Sequence, residues 1–128
     1  MKFKLDHIGY LTDSIEKSII TFELLGYEKG DSLFDNIQNI KLQFLKNNNT
    51  TIELIEPQKD SKIYNLLNKY NNIFYHTAYK VNNIDETISE LKKSTIIKPL
   101  TPKMDSDFFK KHIQFFLLNQ NIIELIEE

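Results

Sequence analysis

The chain repeats itself, and that repeat limits the folds open to it more than any other feature. HIGYLTDSIEKSIITF, beginning at His7, and HTAYKVNNIDETISEL, beginning at His76, align without a gap at an offset of 69 residues, matching Tyr10 to Tyr79, Ile15 to Ile84 and Ile19 to Ile88. Further on, LQFLKNNNTTIELIE (42–56) and IQFFLLNQNIIELIE (113–127) align without a gap at an offset of 71, so the second copy carries two extra residues between its blocks. Self-similarity on this scale means that one supersecondary unit is built twice.

Each copy reads the same way. A strand of alternating character (about 3–11, and 74–81) leads into a helix whose apolar residues recur at i, i+4 and i+7: Ile15, Ile19 and Phe22, then Ile84, Ile88 and Leu91. In TDSIE, Asp13 reads as the helix N-cap with Glu16 three residues on, a capping-box pattern. Short strands follow at 27–34, 38–46 and 50–56 in the first copy and at 95–98, 112–118 and 121–127 in the second. The intervening KNNNT and NQN are rich in asparagine, which suits the positive φ of tight hairpins. Between the copies, SKIYNLLNKY (61–70) reads as a connecting helix with Ile63, Leu66, Leu67 and Tyr70 on one side. The expected class is therefore α+β, a βαβββ module built twice: module one at about 3–57, the connecting helix at about 61–71, module two at about 74–128. A length of 128 residues, 41% of them hydrophobic, suits a single domain.

Composition removes several functions. A net charge of −2 with no block of like charge provides no basic field for nucleic acid or an anionic membrane. No segment approaches transmembrane length, and the N-terminal stretch is too polar for a signal peptide, so the expected address is the cytoplasm. The absence of cysteine removes disulfides, thiolate nucleophiles and zinc-finger spacing, leaving histidine and carboxylate as the only strong metal ligands. All 16 basic residues are lysines, so no guanidinium is present to clamp a phosphate or carboxylate.

The chemistry-bearing residues fall at equivalent places in the repeat. TIELIE (51–56) and IIELIE (122–127) each set a carboxylate, Glu53 or Glu124, inside a hydrophobic strand with apolar neighbours on both faces. An isolated ionised carboxylate there is costly and must be neutralised or find a cation. His7 and His76 open the first strand of each copy and match one another as the two glutamates do. Two imidazoles and two carboxylates are a suitable ligand set for a borderline divalent ion such as zinc, cobalt or nickel, and a pseudo-two-fold axis between the copies would bring all four together. Glu56 and Glu127 also match each other but fall at strand ends, where they are expected to be solvated. His112 has no partner in the repeat and is expected at the surface or near substrate.

With these residues in view, the sequence resembles the vicinal oxygen chelate superfamily, which includes glyoxalases, bleomycin-resistance proteins, extradiol dioxygenases and methylmalonyl-CoA epimerases. LDHIGYLTDSIEKSIITFELLGYE looks like the family's opening strand and helix, TTIELIEP like the strand whose acidic residue, here Glu53, binds metal, and NIIELIEE like the closing strand with Glu124 as last ligand. FYHTAYKVNNIDETISELK is similar to an epimerase segment that usually reads His-His-Ile-Ala, with Tyr75 in place of the first histidine and His76 at the ligand position. The resemblance implies two tandem βαβββ modules forming a curved mixed sheet around a metal-binding cleft, with one divalent ion per site on His7, Glu53, His76 and Glu124. It implies a divalent-metal-dependent isomerase or lyase, methylmalonyl-CoA epimerase-like or lactoylglutathione lyase-like, that moves a proton α to a carbonyl through a metal-bound enediolate. Glu124 is the expected catalytic base, the substrate a small carbonyl compound or thioester, and the assembly a homodimer. The epimerases' second proton-handling carboxylate has no aligned counterpart: Asp35 in FDNIQNIKLQF is nearest, and Asn39 stands where a glycine is usual. The alternative is a metal-free, antibiotic-binding protein of the bleomycin-resistance type. Substrate contacts are expected in loops 57–62 and 99–111, which carry no signature of their own.

Overall fold

The computed structural model describes residues 2–94, 96–106 and 111–128. In chain order these form β1 (Lys4–Leu11), α1 (Ile15–Leu24), β2 (Glu28–Asp35), β3 (Ile40–Asn47), β4 (Thr50–Pro57), a 3₁₀ turn (Tyr64–Leu66), α2 (Leu67–Tyr70), β5 (Ile73–Val81), α3 (Ile84–Ser94), β6 (Ile97–Pro99), β7 (Met104–Asp105), β8 (His112–Leu118) and β9 (Asn121–Glu127). The fold class is α+β with mixed strand directions, as the repeat requires. The chain divides into two compact units, His7–Tyr75 on one side and Met1–Asp6 with His76–Glu128 on the other.

In the unit His7–Tyr75 the strands run in the order β2-β3-β4-β1. β2 with β3 and β3 with β4 are antiparallel, and β4 lies parallel to β1 with Ile8 opposite Ile52, Gly9 opposite Glu53 and Tyr10 opposite Leu54. A parallel return needs a crossover, and α1 begins it. Side chains alternate across a strand, so β4 sends Ile52 and Leu54 to one face and Ile55 to the other. On the first face they join Phe22 and Leu45 under α1, packed by Tyr10, Ile15, Ile19 and Tyr27. On the second, Ile55 joins Leu11, Ile40 and Leu42 beneath Ile63, Leu66, Leu67 and Tyr75. Both faces of β4 are covered, which is why TIELIE is apolar on both. Full burial of one such Leu or Ile side chain stabilises the fold by about 1.5–3 kcal/mol.

The other unit repeats the plan in the order β5-β9-β8-β6, with β7 added on β8. β9 lies parallel to β5, with Ala78 opposite Glu124 and Tyr79 opposite Leu125. Under α3 lies a cluster of Val81, Ile84, Ile97, Phe116 and Leu125, and on the opposite face one of Ala78, Ile113 and Ile126. The two-residue β7 has no counterpart in the sequence pattern, being too short to leave a periodicity. The strand expected at 95–98 runs from Ile97 to Pro99, where proline ends a ladder it cannot donate to; Thr95 lies outside the described residues.

The asparagine-rich turns behave as expected. Asn48 has φ 55°, and Asn119 and Gln120 have φ 47° and 71°, closing hairpins of two residues each. Two local expectations are corrected. The N-cap of α1 is Ser14, not Asp13: Ser14 is extended at φ −152° and its Oγ accepts from Lys17 N at 3.3 Å. Its repeat equivalent Asn83 does the same for Glu86 N at 2.9 Å. Asp13 instead donates its backbone N–H to Asn71 Oδ1 at 3.0 Å. The connecting segment is also less helical than its pattern suggests. It is a 3₁₀ turn followed by one turn of α2, and Tyr70 is 39% exposed while Ile63, Leu66 and Leu67 pack down. Four asparagines in 61–72 favour turns over helix, and Asn72 ends the segment at φ 61°.

Candidate functional site

In the unit His7–Tyr75 the β1–β4 register sets Gly9 opposite Glu53, and His7, two residues before Gly9, shares its face. Histidine and glutamate are therefore diagonal neighbours, and His7 Nε2 lies 3.3 Å from Glu53 Oε1 with side chains 0% and 6% exposed. Across the β3–β4 ladder Phe44 stands opposite Glu53. Its ring meets the His7 imidazole edge to face, centroids 5.8 Å apart and planes at 89°.

The second unit builds the same pair from the equivalent residues. His76 lies two before Ala78, the partner of Glu124, and His76 Nε2 is 3.1 Å from Glu124 Oε1, with side chains 0% and 4% exposed. Phe115 stands opposite Glu124 and meets the His76 ring at 5.4 Å and 82°. Each buried carboxylate that the sequence left without a cation thus has an imidazole nitrogen of its own unit as partner. An aromatic ring packs edge to face on each imidazole. Sequence reading missed Phe44 and Phe115, although they match at the same offset of 71 as the glutamates they face.

A buried imidazole nitrogen and carboxylate oxygen at this distance can share a proton or can both face a cation. Two adjacent ligand atoms on an ion with bonds of about 2.0–2.1 Å are separated by about 2.8–3.4 Å between right-angle and tetrahedral arrangements, a range that includes both pairs. Nitrogen and oxygen donors also match what a borderline divalent ion accepts, and neutral imidazole Nε2 with carboxylate is a combination that such ions select. The residues therefore fit a metal of this class.

Other expected positions fall as follows. Glu56 and Glu127 are not simply solvated: Glu56 Oε1 accepts from Ile15 N at 2.8 Å and Glu127 Oε2 from Ile84 N at 3.0 Å, each satisfying the first free amide of its unit's helix. That bond, first of all, holds the Glu127 carboxyl below the usual carboxylate range; burial opposes the shift, and His112 and Lys103 reinforce it. His112 is half exposed, with Nδ1 3.1 Å from Glu127 Oε1 and Nε2 3.4 Å from Asp105 Oδ1. Asp35 is buried, and its carboxylate accepts from Ile37 N at 2.9 Å, Gln38 N at 3.0 Å and Gln38 Nε2 at 3.0 Å, so it closes its own turn. Asn39 has φ 57° and donates its Nδ2 to Asp60 Oδ1. Of loop 99–111, residues 107–110 lie outside the described residues. No helix among the described residues is long and apolar enough to cross a membrane.

Among solved structures, the chain is similar to a hypothetical protein from Bacillus halodurans (24% identity, TM-score 0.85, covering 100% of this chain and 96% of that one). It is similar to methylmalonyl-CoA epimerase from Mycobacterium tuberculosis (21%, TM-score 0.77, 97% and 87% covered). A variant of Streptomyces coelicolor methylmalonyl-CoA epimerase in complex with 2-nitronate-propionyl-CoA is similar too (19%, TM-score 0.81, 99% and 96% covered). At these identities the likeness shows the fold. No curated protein matches the sequence. The model of the Glyoxalase/Bleomycin resistance protein/Dioxygenase superfamily matches residues 6–116, most of the chain, and the protein belongs to that superfamily.

Proposed function

We propose that His7, Glu53, His76 and Glu124 together bind one divalent ion, zinc, nickel or cobalt, and that the protein is a metal-dependent isomerase or lyase. In this reading it moves the proton α to the carbonyl of a small carbonyl compound or thioester, as a methylmalonyl-CoA epimerase-like or lactoylglutathione lyase-like enzyme. The observation that carries the reading is the buried His–Glu pair built twice, at 3.3 and 3.1 Å, from residues equivalent in the repeat. Two buried carboxylates concentrate negative charge, and a doubly charged ion offsets it.

When bound, the ion supplies Lewis acidity that lowers the cost of negative charge developing on a substrate carbonyl oxygen as the α-proton leaves. The protein's part is positioning and proton transfer. Glu124 takes the α-proton on a carboxylate oxygen and returns it to carbon. His76, 3.1 Å from that carboxylate, orients it. Phe115 and Phe44 pack edge to face on the two imidazoles and fix their planes, while the proton on Glu124 exchanges with solvent before it returns to carbon. Asp35 is engaged in its turn and is assigned no proton transfer. Membership of the superfamily and the likeness to epimerase structures support this chemistry without selecting the substrate. The reading includes a homodimer.

Metal quantification on the purified protein, followed by deuterium exchange at the α-carbon of a panel of thioesters and hemithioacetals, tests the reading. About one ion per chain is expected, with exchange on at least one panel member and none in Glu124→Gln. Full exchange in that variant removes the role given to Glu124. Protein that takes up no divalent ion and exchanges nothing supports the antibiotic-binding alternative.

A further inference from the structure

On the helix-facing side of the unit formed by Met1–Asp6 and His76–Glu128 lies a cavity of about 270 Å³. Its floor is Phe116, Leu125 and Ile97, all buried; Tyr79, Leu91, Leu118 and Ile123 form a half-buried rim, and Phe3 stands at the mouth, 38% exposed. Among the described residues, no lining side chain carries a charge. Ile123 and Leu125 alternate with Glu124 along β9, so the cavity opens on the face of the strand opposite the one that carries Glu124.

The repeat shows what belongs in this position. In the unit His7–Tyr75 the equivalent space holds the ring of Phe22, edge to face with Tyr10 at 5.0 Å, with Tyr27 at 5.5 Å and with Phe74 at 6.2 Å. In the second unit Tyr79 takes the place of Tyr10 and keeps an aromatic partner, Phe3 at 6.1 Å and 84°. Leu91 takes the place of Phe22, and by the register of β6 on β8 the buried Ile97 takes the place of Tyr27. Two rings are thus replaced by smaller aliphatic side chains in a box that otherwise keeps its walls.

We propose that this cavity is a binding site for a small neutral aromatic molecule of one or two rings, seated among Tyr79, Leu91, Phe116 and Leu125 where the other unit seats its own Phe22. An apolar cavity of about 150 Å³ stays dry and accepts benzene, so the larger space here takes up to two fused rings. Among the described lining residues Tyr79 is the one side chain with a polar atom, so a ligand carrying a charge would leave it uncompensated. Edge-to-face contacts with Phe3, Tyr79 and Phe116 favour a ring over an aliphatic chain of the same area.

Indole and naphthalene, titrated into the full chain by calorimetry and by methyl NMR, test the site. Saturable binding is expected, with shifts confined to the methyls of Leu91, Ile97, Leu118, Ile123 and Leu125, and with indole-3-acetate binding more weakly than indole. Leu91→Trp fills the space and lowers the affinity for indole by about tenfold or more, equivalent to about 1.4 kcal/mol. Leu118→Phe gives an independent block should the first variant fold poorly. Absence of saturable binding up to the solubility of both probes overturns the site, as does binding left unchanged by both variants. Loss of self-association in Leu91→Trp, without ligand binding by the parent, shows that a second copy covers the cavity and likewise overturns it.

Discussion

The backbone amide of Ile84 donates to Glu127 Oε2 at 3.0 Å, so the end of β9 caps the start of its unit's helix. Ile15 and Glu56 make the same bond at 2.8 Å in the other unit. A carboxylate at a helix N-terminus satisfies an otherwise free amide and meets the positive end of the helix dipole. Closing strand and helix start are thereby locked together across more than forty residues of chain.

Replacing Glu127 by alanine is expected to cost about 1 kcal/mol of folding stability, the usual value of a lost helix cap, and Glu56→Ala a similar amount. Urea denaturation at pH 7 measures both. A loss within experimental error in both variants would mean that the amides find water without penalty.

The same bond sets a pH dependence. Because the Ile84 amide, before any other group, lowers the Glu127 pKa in the folded state, its contribution to stability is present above the ordinary carboxylate pKa of about 4.3 and is lost as pH falls through the lower folded value. The gap in urea midpoint between parent and Glu127→Gln should therefore be full at pH 7 and shrink below pH 4. A gap that widens on acidification contradicts this assignment.

Ser14→Ala should cost about 1 kcal/mol, whereas Asp13→Ala, whose side chain caps nothing, should stay within about 0.5 kcal/mol of the parent. Thermal or chemical melts distinguish the two, and the reverse order would restore Asp13 as N-cap.

Layer position predicts a sharp contrast between two leucines. Leu54 is 0% exposed beneath α1 and Leu24 is 84% exposed on that same helix. Leu54→Ala should cost about 2–5 kcal/mol, and Leu24→Ala under about 0.5 kcal/mol. Equal costs, measured by denaturation, would place α1 on the wrong face of the strands.

If the proposed metal centre is correct, chelation should lower the thermal midpoint, because an ion that binds only the folded chain stabilises it by mass action. Zinc, nickel or cobalt should restore it, and Glu53→Gln and Glu124→Gln should each lose most of that restoration. A midpoint indifferent to chelator and to all three ions in metal-loaded protein would remove the centre.

Much of this was written in the order of residues. Duplication at offsets of 69 and 71 dictated a unit built twice, and periodicities of 3.6 and 2 placed its longer elements, because such patterns are local and survive without knowledge of what packs against them. The same duplication singled out His7, Glu53, His76 and Glu124. What it could not supply were partners. That Glu53 meets His7, and Glu124 meets His76, follows from the parallel registers Gly9–Glu53 and Ala78–Glu124, which pair strands more than forty residues apart. The roles of Glu56, Glu127 and Asp35 depended in the same way on which amide arrives beside each carboxylate. Identical side chains three residues apart on one strand, Glu124 and Glu127, point to opposite faces. One is buried against an imidazole and the other caps a helix, and only the three-dimensional pairing decides which does which.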